Sequence, residues 1–202
     1  MNKLALTLGV LAGLVQLAGY WHYYWLMSLE KGHKPNAASW LMWALGGATE
    51  LVVFAALVQD PAKEILPAVC GVAAIAIFIQ MLRRGAMVQL DTWEKVTIGF
   101  DAVVLVFYVV TKDVVVSNIL LSIDLVLSFS PTLWSTWKQP KREHPTPWHL
   151  WTLAYALLTL VVIIERDSNW EFIYPVTCVV LHILVALFTR RDRLSSLPAP
   201  TL

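Results

Sequence analysis

The sequence predicts an all-α polytopic membrane protein, with seven transmembrane helices arranged as two parallel three-helix bundles joined by a linker helix. Three observations predict it. The 202-residue chain is 58% hydrophobic and only 14% charged, with mean hydropathy +0.64, too apolar for a soluble domain of this size. Its apolar residues fall into seven runs separated by charges and helix breakers. The chain also repeats itself at an offset of 108 positions. Ile65-Leu66-Pro67-Ala68-Val69-Cys70 returns as Ile173-Tyr174-Pro175-Val176-Thr177-Cys178. The same offset maps Trp40 onto Trp148, Trp43 onto Trp151, Leu45 onto Leu153, Ala48 onto Ala156 and Ile75 onto Ile183. A duplicated set of apolar helices points to two similar halves with a site between them.

A bilayer core takes about 20 apolar residues per helix. The expected spans are 4–27, 38–58, 64–82, 96–111, 114–137, 148–165 and 171–189. The first follows a single Lys3 and shows no small-residue cleavage site, so it reads as a transmembrane helix rather than a removed signal peptide. The connecting segments hold the breakers: Glu30 to Asn36, Gln59-Asp60-Pro61, Arg83-Arg84-Gly85, Thr111-Lys112-Asp113, Lys138 to Arg142, and Glu165-Arg166-Asp167. Arg190-Arg191-Asp192-Arg193 ends the last span.

Seven spans put the termini on opposite sides. Lys3, Lys63, Lys112 and Arg166 fall on the side of the N-terminus, and the other eleven lysines and arginines fall opposite. This bias predicts an outside N-terminus and a cytoplasmic C-terminus, with a bacterial inner membrane as the expected location. Spans one to three match spans five to seven, and the unmatched fourth restores the orientation of the second copy. The expected organisation is therefore 1–85 as the first bundle, 86–112 as the linker helix, 113–194 as the second bundle, and 195–202 as a disordered tail.

The segment Ser130-Pro131-Thr132-Leu133-Trp134-Ser135-Thr136-Trp137-Lys138, running on to Trp148, resembles the signature of the SWEET and PQ-loop transporter superfamily. In that family a proline near the end of the first helix of a triplet precedes a basic cytoplasmic loop. The resemblance extends over the whole chain in topology, and its motif is sharp in the second half. Tyr23 stands at the first-copy position of Pro131, and Thr132 stands where the family's name has glutamine. The family's sugar carriers have an asparagine after the last proline, where this chain has Val176 and, in the first copy, Ala68. The resemblance implies a 3+1+3 fold and transport of a small solute by alternating access.

Ionisable groups at bilayer depth mark functional positions by default. Glu50 lies midway along the second span, Asp124 midway along the fifth and His182 within the seventh. Gln16 is the repeat mate of Asp124. These four are the candidate binding groups for a substrate or a proton, around a shared cavity at mid-depth. The acids favour a proton-linked or cationic solute over a neutral sugar. Asp101, in the unmatched helix, reads as an interhelical hydrogen-bonding group.

Aromatics form a second set. Trp148, Trp151, Tyr155 and Thr159 recur on one helical face, and Trp40, Trp43, Gly47 and Glu50 on another. Trp43, Trp151 and Tyr155 are the expected cavity walls. Trp40 and Trp148, with Trp25, Trp134 and Trp137, are expected in an interfacial belt. Pro131 has about a full turn of helix after it and is the candidate hinge. Pro67, Pro147 and Pro175 are expected in first turns, where proline is tolerated. Gly46-Gly47 is expected to let helices approach closely.

The net charge of +1 gives no reason for a nucleic-acid partner. Cys70 and Cys178, both within apolar runs, read as small buried residues rather than a disulfide or metal pair. The sequence has no glycine-rich phosphate loop, no HExxH, no CxxC and no GxSxG, so neither enzyme activity nor a cofactor or metal is expected. The partners expected are a small-molecule solute and the bilayer, and a homo-oligomer stays open. The alternative is a receptor or sorting protein of the same fold that binds its ligand without moving it.

Overall fold

The computed structural model describes residues 2–29, 36–85 and 89–195, with side chains up to residue 191. The charges of Glu30 to Pro35, the first residues of the expected linker and the tail beyond Ser195 lie outside the described residues. Among the described residues the chain forms seven α-helices: α1 (Lys3–Ser28), α2 (Ala37–Val58), α3 (Pro61–Arg83), α4 (Thr92–Thr111), α5 (Val114–Lys138), α6 (Pro145–Ile164) and α7 (Ile173–Ser195). Short 3-10 turns at Pro140–Arg142 and Asn169–Phe172 precede α6 and α7.

The starts of the helices follow from capping chemistry. Asn36 accepts from the Ala38 and Ser39 amides, Asp60 from Ala62 with Pro61 at the first helical position, and Asp113 from Val116. Asp91 and Glu94 form a reciprocal capping box at α4. The turns into α3 and α5 are compact. Gln59 and Lys112 each adopt a left-handed conformation (φ 45° and 56°), and an aspartate cap follows at once. Asp60 explains one departure from expectation. It starts α3 three residues early, so Pro67 lies inside the helix rather than in its first turn. Pro147 and Pro175 do occupy the first turns of α6 and α7. At the far end, α7 continues through Arg190 and Arg191 to Ser195 instead of ending at the basic cluster.

Six of the seven helices are long and apolar enough to cross a membrane. The exception is α4, whose 20 residues include Glu94, Lys95 and Asp101. Large apolar side chains cover the exterior, Val110, Trp21 and Val72 among the most exposed at 76%, 72% and 68%. Water does not favour so much open apolar surface, and lipid does. These features are those of a polytopic membrane protein.

Packing follows the repeat. α1 lies against α3 and α6, α2 against α3 and α5, and α7 against α5 and α6. Moving on by the repeat offset turns α1–α3 into α5–α7, α2–α3 into α6–α7, and α1–α6 into α5–α2. These six contacts are thus preserved when the halves are exchanged. α4 has no repeat mate and, among the described residues, packs on α5 and α2 alone. Glycines set the closest approaches. A methyl on Gly9 would collide with the Ala62 carbonyl, and one on Gly71 would sit 3.2 Å from the Gly47 carbonyl oxygen. The expected close approach at Gly46-Gly47 therefore belongs to Gly47, while Gly46 faces carboxylates.

Candidate functional site

Six of the eight residues predicted for the site line one central cavity: Glu50 and Trp43 from α2, Asp124 from α5, Trp151 and Tyr155 from α6, and His182 from α7. The cavity volume is about 50 Å³. That is room for a few waters. A larger solute enters only if the lining moves.

Two of the acids meet at Gly46, while Glu50 faces the Tyr174 hydroxyl. Asp124 and Asp101 are 4% and 8% exposed, and both approach Gly46: a Cβ there would sit 3.3 Å from Asp124 Oδ2 and 3.8 Å from Asp101 Oδ1. Glycine at this position leaves both carboxylates their space. Thr49 donates its hydroxyl to Asp101 Oδ2 at 3.4 Å. Oδ1 of each aspartate is buried without a hydrogen-bond partner. Asp101 had been expected to make a purely structural interhelical bond. It makes that bond with one oxygen and keeps the other free beside Asp124. Among the described residues no lysine or arginine lines the cavity.

The rest of the lining is aromatic and hydroxylic. His182 donates from Nδ1 to the Cys178 carbonyl at 2.6 Å, because a carbonyl only accepts. Its ring lies 5.1 Å from Tyr155, 5.6 Å from Trp148 and 5.9 Å from Trp151, centroid to centroid. Tyr174 and Tyr155 share a hydroxyl hydrogen bond of 3.0 Å. Tyr155 donates on to Cys70 Sγ at 3.4 Å, and the Tyr20 hydroxyl meets the same sulfur at 3.0 Å. Cys70 and Cys178 are free thiols, and both line the cavity. Gln16 is 1% exposed beside Tyr20 and Cys70, but neither of its amide atoms makes a full hydrogen bond. It stands behind the wall rather than in it. Pro131 lies inside α5 and also away from the lining.

No protein-family model, curated protein or solved structure matches this chain. The reading of the site therefore rests on its own geometry.

Two tryptophans depart from expectation. Trp40 and Trp148 are 2% and 1% exposed and line the cavity, so they do not belong to an interfacial belt. Each indole N–H has found a buried acceptor. Trp40 donates to the Tyr23 hydroxyl at 3.0 Å, and Trp148 donates to Glu143 Oε2 at 3.2 Å. Tyr23 in turn donates to Glu143 Oε1 at 3.3 Å. Trp25, Trp134 and Trp137 are exposed, as a belt position requires.

Glu143 escaped the sequence reading. It lies between the Pro140–Arg142 turn and α6 and is 5% exposed. It ties α1 of the first half to α6 of the second. Burial pushes its carboxyl up to about 8, against the pull of the Trp148 and Tyr23 hydrogen bonds and the nearby Arg142. A second tie lies at the other end of α1. Lys63 is wholly buried and donates to Glu171 at 2.7 Å and to Asp167 at 3.3 Å. Gly9, which packs on Ala62 beside Lys63, and Tyr23 are about 21 Å apart along α1. The cavity thus has a buried polar tie between the halves toward each end.

Proposed function

We propose that this chain is a membrane transporter that moves a small polar solute by alternating access, with proton linkage through its buried acids. In this reading all seven helices cross the bilayer, with the N-terminus outside. Residues 1–85 and 113–194 form two parallel three-helix bundles, and 86–112 link them. One observation carries the proposal: side chains from repeat-related helices meet in a single cavity whose lining combines the acids Glu50 and Asp124 with a set of aromatic rings. The ties at Lys63–Glu171 and at Tyr23–Glu143–Trp148 support it. Breaking one while keeping the other would open the cavity to one side at a time. Pro131 removes a backbone hydrogen bond within α5 and gives that helix a place to bend.

Reconstitution in vesicles tests the proposal. Uptake of a labelled solute above that of empty vesicles is the expected result. Binding with no flux under any gradient would replace the carrier with a receptor of the same fold.

A further inference from the structure

The lining of the cavity discriminates among solute classes. Glu50 and Asp124 present carboxylates with no lysine or arginine beside them among the described residues, which repels anions. A neutral polyol needs donors and acceptors in comparable number. Few donors are open here: the His182 Nδ1–H and the Trp40 and Trp148 indole N–H groups are engaged, the Tyr20 and Tyr155 hydroxyls are tied to Cys70, and the unpartnered buried donors of the lining are the indole N–H groups of Trp43 and Trp151, the latter packed against Gly19. A bare metal ion needs a shell of oxygen, nitrogen or sulfur ligands, and among the described residues no three acids, histidines or cysteines come together to supply one.

What remains is a cation that keeps an apolar coat. Trp43 lies 4.9 Å from Phe129 and 6.0 Å from Trp148, and Trp148 lies 5.0 Å from Trp151. These planes meet at 45°, 72° and 90°, so the rings form a bent wall rather than a stack. Asp124 lines the same space, and its Oδ1 is buried without a hydrogen-bond partner. Aromatic faces attract ammonium groups whose alkyl substituents keep them weakly hydrated, and a carboxylate supplies the counter-charge. We propose that the cavity, widened by movement of its lining, binds a small organic ammonium ion held between the Trp43–Phe129–Trp148 wall and the Asp124 carboxylate. This deepens the carrier reading and rests on it for the identity of the site.

Purified protein in detergent tests the inference by titration calorimetry and thermal shift. The probes are choline, tetramethylammonium, glucose, and 3,3-dimethylbutan-1-ol, the uncharged carbon counterpart of choline. Choline and tetramethylammonium should bind and raise the melting temperature. The uncharged counterpart should bind at least about tenfold more weakly. Asp124→Asn and Trp43→Phe should each weaken choline, and Asp124→Glu should recover it. Equal binding of choline and its uncharged counterpart overturns the inference, as does failure of the folded wild type to bind either ammonium ion. The wild-type comparison needs no variant to fold. Vesicle flux separates the two ideas. Ammonium binding without uptake keeps the inference and removes the carrier, whereas glucose uptake without ammonium binding does the reverse.

Discussion

Lys63 and Glu171 are 108 positions apart in sequence and 2.7 Å apart in space. That separation is the repeat offset, so the two residues are repeat mates that touch. Equivalent positions can touch only where the two halves meet face to face. Identical residues there would set like charge against like charge. Lysine in one copy and glutamate in the other turn the same contact into an ion pair.

Removing Lys63 leaves the Glu171 charge buried and uncompensated, whereas removing Glu171 still leaves Lys63 with Asp167 at 3.3 Å. Lys63→Met alone should destabilise the protein by about 3–5 kcal/mol. Lys63→Met combined with Glu171→Leu should recover most of that loss. Thermal unfolding in detergent of the two single variants and the double variant checks both statements. A double variant no more stable than either single would deny the coupling.

Glu143 predicts a pH dependence with a definite sign. Its carboxyl is held at about 8 in the folded chain, above its ordinary value of 4.5. Between those values the folded chain keeps a proton that the unfolded chain gives up. Its contribution to stability is full below pH 4.5 and is lost as pH rises through about 8. Melting temperature should fall as pH is raised through that window, and Glu143→Gln should flatten the fall.

Asp124→Asn keeps the shape of the side chain and removes its charge. In vesicles it should abolish the response of uptake to a proton gradient while leaving the protein folded in the membrane. An unchanged response assigns the proton to another group.

Pro131→Ala restores a backbone donor inside α5. It should slow turnover more than it weakens solute binding, read from uptake rates beside calorimetric affinity. Weaker binding with unchanged turnover would count against a hinge.

Gly9→Ala would drive a methyl into the Ala62 carbonyl. Neither backbone can yield readily, so a loss of about 1–3 kcal/mol is expected in the same unfolding measurements.

The helices were legible in the sequence because their cues are local. Apolar runs and the breakers between them gave the ends of α2 and α5 closely, whereas the aspartate cap that starts α4 at Thr92 went unread and that helix was expected only from 96. The cavity was legible because Glu50, Asp124 and His182 lie deep in apolar helices, where a polar group has few other reasons to be. Contacts between segments remote in sequence were not legible. Trp40 looked interfacial because its place along the helix was known and its acceptor, Tyr23 on another helix, was not. Glu143 looked like one more loop charge until α1 and α6 closed over it. Asp101 was discounted because its helix has no repeat mate, yet α4 packs on both α2 and α5 and brings it to Gly46.

Cys70 and Cys178 are the chain's only thiols, and both stand in the cavity wall. The unaltered protein therefore carries its own chemical reporters of access. A maleimide that cannot cross lipid, added to one face of a sealed vesicle at a time, would label these sulfurs only when a path from that face reaches the centre. No introduced cysteine and no cysteine-free background would be needed to follow which way the molecule is facing.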